Sequence, residues 1–100
     1  MAGNGAYDVE KVRADFPILS RTVHADYVYE GQIAAGLTAI QRQHPALDLG
    51  SYPYYRGKGG GVALVAKGTE AEAVEAAARA MLALLAQHGE AREGEPLPEG

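Results

Sequence analysis

Six residues, Arg56–Gly61 (RGKGGG), constrain this chain more than any other stretch. They join two extended runs. Leu47–Tyr55 (LDLGSYPYY) places Leu47, Leu49, Ser51, Pro53 and Tyr55 on one face and Asp48, Gly50, Tyr52 and Tyr54 on the other. Val62–Ala66 is short and almost continuously apolar. So brief a glycine-rich connection between two such runs predicts an antiparallel hairpin. Pro53 lacks an N–H, so its strand belongs at an edge or near a strand end.

The rest of the chain fits around that hairpin. Ile18–Ala25 (ILSRTVHA) alternates and is rich in β-branched residues, which predicts a strand. Glu30–His44 repeats Ile33, Leu37, Ile40 and His44 at helical spacing and stops at Pro45. Gly36 in its middle costs about 1 kcal/mol against Ala and suggests a close approach to a sheet. After Gly68, Thr69 and Glu72 form a T-x-x-E capping box for a helix over Glu70–His88, with Val74, Ala78, Met81 and Leu85 as its stripe and Gly89 as its stop. Asp8 caps a short helix from Val9 to about Ala14, ended by Pro17. The fold class expected is α+β: a two-layer βαββα domain with a three-stranded mixed sheet, both long helices on one face, and a short N-terminal helix. Residues 1–7 read as a flexible lead and residues 8–88 as one domain. Residues 89–100 (GEAREGEPLPEG) carry four glutamates against one arginine and read as a disordered acidic tail.

Composition narrows the chemistry. Cysteine is absent, which removes disulfides, thiolate nucleophiles and Cys-based zinc sites. Nine Lys and Arg stand against thirteen Asp and Glu, a balance that argues against a nucleic-acid surface. No apolar run is long enough to cross a membrane, no secretory leader is visible, and a cytoplasmic chain is expected.

Two groups of residues could carry function. Arg56, Gly57, Lys58, Gly59 and Gly60 offer cationic side chains and free amides to an anion, phosphate or nucleotide. The stretch fails the P-loop pattern, and although GKGG fits a GxxG, that loop joins two helices in KH domains whereas this one joins two strands. A plain hairpin turn is the other reading. Tyr52 and Tyr54, with Tyr27 and Tyr29 nearby, could close a core, stack bases or form an association face. His24, His44 and His88 are dispersed, and no catalytic or metal motif appears. The expectation is therefore a chain that is not an enzyme and has no cofactor or metal. Its partners would be a second copy or a neighbouring domain, met through the helix-free sheet face.

Ile18–His88 resembles the small domain that follows the molybdopterin-binding-type domain in competence/damage-inducible protein A-like proteins. The stretches that carry the likeness are ILSRTV, EGQIAAGLTAIQRQHPALDLGSYPYYR and GTEAEAVEAAARAMLALL. In such relatives the ligand and hydrolytic residues belong to the larger preceding domain, so the resemblance implies an accessory role. Tyr7–Arg21 (YDVEKVRADFPILSR) is similar to the start of Suf-type cysteine desulfurases, whose reactive Cys is missing here. The two likenesses meet at ILSR, which implies a recombined or designed chain without an evolved activity, with a truncated natural gene as the rival reading.

Overall fold

In the computed structural model, residues 18–56 and 59–96 are described, with Arg56 as backbone only. Strand β1 (Leu19–Asp26) leads through helix α1 (Glu30–Gln43) to β2 (Asp48–Arg56) and β3 (Gly59–Gly68); helix α2 (Ala71–Ala86) and β4 (Ala91–Glu93) follow. The sheet order is β2-β3-β1-β4, and every neighbouring pair is antiparallel. This is the split β-α-β-β-α-β arrangement of ferredoxin-like folds.

Two expectations about the sheet are corrected. It has four strands rather than three, and it is antiparallel rather than mixed. β1 and β2 do run in the same direction, but β3 lies between them and pairs with both. The fourth strand comes from Ala91–Glu93, inside the segment read as a solvated tail. It pairs with Val23–Ala25 of β1 and sets Ala91 against the core cluster. Backbone pairing along an open edge gives this charged stretch what its side chains lack. The short helix expected over residues 9–14 lies outside the described residues.

The core lies between the helices and one sheet face. Val23, Ala25, Val62, Leu64 and Ala66 point toward Ile33 and Ile40 of α1 and Val74, Ala77, Met81 and Leu85 of α2. The helical spacing read from the sequence thus marks the buried stripes. Gly36 serves a helix–helix contact rather than a helix–sheet one: a Cβ there would stand 2.5 Å from Leu84 Cδ1. The T-x-x-E capping box does not form. Glu70 occupies the N-cap position of α2, so Thr69 sits one residue too early, and no side chain caps the helix. At the other end Gln87 is the C-cap, and Gly89 is needed for room, since its Cβ would meet Val28 Cγ2 at 2.9 Å.

Hydrogen-bond direction tells which peptide groups face which neighbour. Gly94 N–H donates to Thr22 O at 2.7 Å, and Tyr27 N–H donates to Gly60 O at 2.5 Å. Peptide groups alternate along a strand, so even-numbered residues of β1 face β4 and odd-numbered ones face β3. By the same alternation the odd residues of β2 (Leu49, Ser51, Pro53, Tyr55) turn outward from the sheet. Pro53 therefore sits where its missing N–H costs nothing, as expected of an edge. Gln41 of α1 seals the start of this edge. Its Nε2 donates to His44 O (3.1 Å) and Leu47 O (2.8 Å), and its Oε1 accepts from Leu49 N–H (3.2 Å).

Candidate functional site

The helix-free face of the sheet carries the residues that sequence reading singled out, and several it did not. Cross-strand register lines up Tyr54, Gly61 and Asp26 in one row, and Tyr52, Ala63, His24 and Arg92 in the next. Directly opposed residues share a face, so these side chains meet on one surface.

That surface is built from tyrosines lying on glycines. A Cβ at Gly61 would stand 2.5 Å from Tyr54 Oη and 2.6 Å from its Cζ; one at Gly59 would stand 2.7 Å from Tyr27 Cε1. A Cβ at Gly50 would meet Tyr52 Oη at 2.9 Å. Each ring needs the missing side chain beneath it. Tyr54 crosses β3 over Gly61 and donates its hydroxyl to Asp26 Oδ1 at 2.6 Å. Tyr27 reaches Gly59 because its backbone takes a left-handed φ of 63°, a costly conformation for a bulky residue. Tyr52 (54% exposed) and Tyr27 (63%) keep an open side, whereas Tyr54 is half-buried.

His24 is buried beneath this layer, edge-on to Tyr54 with ring centroids 6.3 Å apart. Its Nδ1 lies 2.8 Å from Gly94 O. A carbonyl only accepts, so Nδ1 carries the proton. The imidazole is thereby committed to holding the chain that follows β4. Tyr54 and Asp26 are likewise committed to each other across three strands. Removing the hydroxyl alone tests this link: Tyr54→Phe keeps the ring on Gly61 and loses a charge-assisted bond, so urea unfolding should show a loss of about 1.5–3 kcal/mol. An unchanged midpoint would mean the bond contributes nothing.

The proposed anion residues are only partly placed. Gly57 and Lys58 lie outside the described residues, as does the Arg56 side chain. Gly59 and Gly60 close the hairpin in pairs with Arg56 and Tyr55, and Gly60 O is taken by Tyr27 N–H. Tyr29 Oη lies 3.6 Å from the Gly59 Cβ position, so two exposed aromatic residues stand at the hairpin base. Among the described residues no group of three His, Cys, Asp or Glu is placed to hold a metal ion, and no helix is long and apolar enough to cross a membrane. A recess of about 250 Å³ lies beside the tyrosine layer, among His24, Asp26, Tyr27, His88, Glu90 and Arg92. A larger one of about 560 Å³ lies elsewhere, between α2 and the free edge of β1.

His24, Asp26 and Gly94 were not read as a group from the sequence, although the period of two in β1 puts His24 and Asp26 on one side. What joins them to Tyr54 is the β1–β3 pairing, which nothing local in the sequence states.

The described residues form a two-layer α+β domain with an aromatic face on its sheet. Residues 17–93 match the family model described as FAD synthase, middle domain, and the chain belongs to that family. The match covers the stretch that resembles the small domain of competence/damage-inducible protein A-like proteins, and it includes β4. No relation to cysteine desulfurases is shown. No curated protein and no solved structure matches the chain.

Proposed function

We propose that this chain is a non-catalytic accessory domain that holds a neighbouring domain of a longer, FAD-synthase-type protein against its tyrosine-covered sheet face. The observation that carries this reading is the seating of Tyr27, Tyr52 and Tyr54 on Gly59, Gly50 and Gly61. Rings pressed onto bare backbone make a firm surface with apolar area and polar tips, the composition favoured at protein contacts. A middle domain has neighbours on both sides, and the helices already cover the other face. The reactive side chains beneath the rings support the reading too, because His24 and the Tyr54–Asp26 pair are occupied in holding the fold.

A titration of the 15N-labelled chain with an adjoining domain of an FAD synthase tests it. Amide shifts should gather at Gly50, Tyr52, Ala63 and Val65, and Tyr52→Asp should abolish them. Shifts confined to the outer surfaces of α1 and α2, or turnover of FAD by the chain alone, would overturn it.

A second reading rests on the exposed Tyr27 and Tyr29 beside Gly59. Aromatic rings next to a glycine-rich turn carrying Arg56 and Lys58 suit a phosphate-bearing aromatic ligand, and the family description names FAD. Titration with inorganic phosphate and with FAD separates the readings. Saturable shifts at Gly59 and Gly60 support a ligand site; silence with both at millimolar concentration removes it.

A further inference from the structure

The recess beside the tyrosine layer is lined by a group that the fold uses only in part. His24 is more than nine-tenths buried, with 8% of its surface exposed, and it borders this space of about 250 Å³ with Asp26, Tyr27, His88, Glu90 and Arg92. One ring nitrogen is used: Nδ1 donates to Gly94 O at 2.8 Å. The other, Nε2, has no hydrogen-bond partner among the described residues. In the neutral ring Nε2 only accepts, so whatever meets it must bring a proton. A buried acceptor left unmet is costly, and an apolar side chain would fill the same place without that cost.

The other lining groups narrow what the occupant can be. Asp26 and Glu90 bring carboxylate oxygens, Arg92 brings N–H donors, and Tyr27 brings an exposed aromatic wall. Arg92 lies opposite His24 in the β1–β4 register and pairs with Glu90 at 3.5 Å. A simple anion would face two carboxylates, and a simple cation would face the Arg92 guanidinium. No three His, Asp or Glu side chains converge on a metal ion among the described residues. A hydroxyl group both donates and accepts, so it suits a lining of mixed character. One hydroxyl donates to Nε2, its neighbour donates to a carboxylate, and their oxygens accept from Arg92. The C–H side of such a group then lies against Tyr27.

We infer that this recess binds a small polyhydroxylated group, a vicinal diol carried by a polyol or a ribose, with His24 Nε2 as the acceptor that recognises it. The space is below the roughly 300–1,000 Å³ of sites for drug-sized ligands, which suits a sugar-sized group. The inference does not rest on the docking of a neighbouring domain.

Titration of the 15N-labelled full chain with ribitol tests it, at about pH 8, where an ordinary imidazole is neutral. Ribitol should move the His24 Nε2 resonance toward that of a hydrogen-bonded nitrogen and shift the Gly89 and Arg92 amides. The shifts should saturate with a Kd on the order of a few millimolar, the scale that about ten heavy atoms support. 1,5-Pentanediol, the same carbon chain without neighbouring hydroxyls, should bind at least roughly tenfold more weakly. Adenosine and FMN, titrated in parallel, distinguish a nucleoside's ribose from a flavin's ribityl chain: the one that shifts His24 at the lower concentration is the better source. Arg92→Ala should weaken ribitol roughly three- to tenfold. His24→Phe should abolish binding, and the Nε2 and Arg92→Ala readings decide the matter if that variant does not fold. An Nε2 resonance that stays put at about 20 mM of all three diols overturns the proposal. So does equal binding of 1,5-pentanediol, or tighter binding of ethylammonium or inorganic phosphate at His24. Shifts confined to Gly59 and Gly60 would assign the ligand to the hairpin and overturn it as well.

Discussion

Gly61→Ala should unfold this domain at a temperature lower by roughly 12–24 °C, the shift that a loss of about 3 kcal/mol produces in a chain of this size. The cause is local and double. A methyl group at position 61 would run into the carbonyl oxygen of Ala25 in the neighbouring strand. It would also occupy the space of the Tyr54 ring, 2.5 Å from its oxygen. Backbone cannot move aside cheaply, because Ala25 is itself paired on both sides, with Val62 and with Ala91. Tyr54 must then lift off β3 and lose Asp26. The effect should exceed that of Tyr54→Phe, which loses only the hydroxyl. A Gly61→Ala variant with wild-type melting would mean that the ring does not lie where the row Tyr54–Gly61–Asp26 puts it.

The second large effect belongs to Gln41, which is far from the tyrosines and touches no ligand in any reading. One side-chain amide donates twice and accepts once, tying the end of α1, the turn at Leu47 and the edge strand β2 together. Gln41→Glu keeps the acceptor and replaces the donor with a second oxygen facing two carbonyls. Two part-buried bonds are lost and a repulsion is added, so the expected cost is about 2–4 kcal/mol at neutral pH. Gln41→Ala should cost less, since water can reach the freed carbonyls. The acidic variant also carries its own control. Carbonyls around a carboxylate raise its folded-state pKa above the unfolded value of about 4.3, so the protonated form is favoured in the native state. Its deficit against wild type should then shrink as pH falls through the raised folded value, because a protonated carboxyl recovers one donor. Chemical denaturation at neutral and acidic pH checks this. A Glu variant that tracks the Ala variant at every pH would show that the Nε2 bonds are unimportant.

The periodic elements were legible because burial writes its period into the residues. Ile33 and Ile40, then Val74, Ala78, Met81 and Leu85, mark the faces that the two helices bury. The hairpin was legible from glycine and the flanking strand pattern, and the edge position of β2 from Pro53. β4 was not. Ala91–Glu93 holds one small apolar residue between charges, and its order comes from backbone bonds to β1 that any sequence could make. Sheet order was illegible for a related reason: β3 inserts between β1 and β2, and the crossover alone does not say whether parallel strands touch. The failed capping box at Thr69 shows how a one-residue shift at a helix start defeats a motif.

The candidate face was half legible. Tyr52 and Tyr54 were singled out as a cluster that could close a core, stack bases or form an association face, and the open sheet face was expected. Of the glycines beneath them, Gly59 was read as a loop residue with an amide for an anion, and Gly50 and Gly61 only as strand and loop positions. Gly50, Gly59 and Gly61 fall at alternate positions facing the same side as the tyrosines, so the seating could have been read once the register was known. The register depends on β1 pairing with β3, a contact between segments some forty residues apart. His24 and Asp26 were not connected with the tyrosines for the same reason.

Contacts between the tyrosine rings and the glycine α-protons test the finished aromatic face most directly. A 13C-edited NOE spectrum should show cross-peaks from the Tyr54 ring to Gly61 Hα, from Tyr27 to Gly59 Hα and from Tyr52 to Gly50 Hα. The three α-proton pairs should also be shifted by ring currents. Rings that average freely in solvent, with no such cross-peaks and ordinary glycine shifts, would contradict a preformed contact surface and with it the accessory role built upon it.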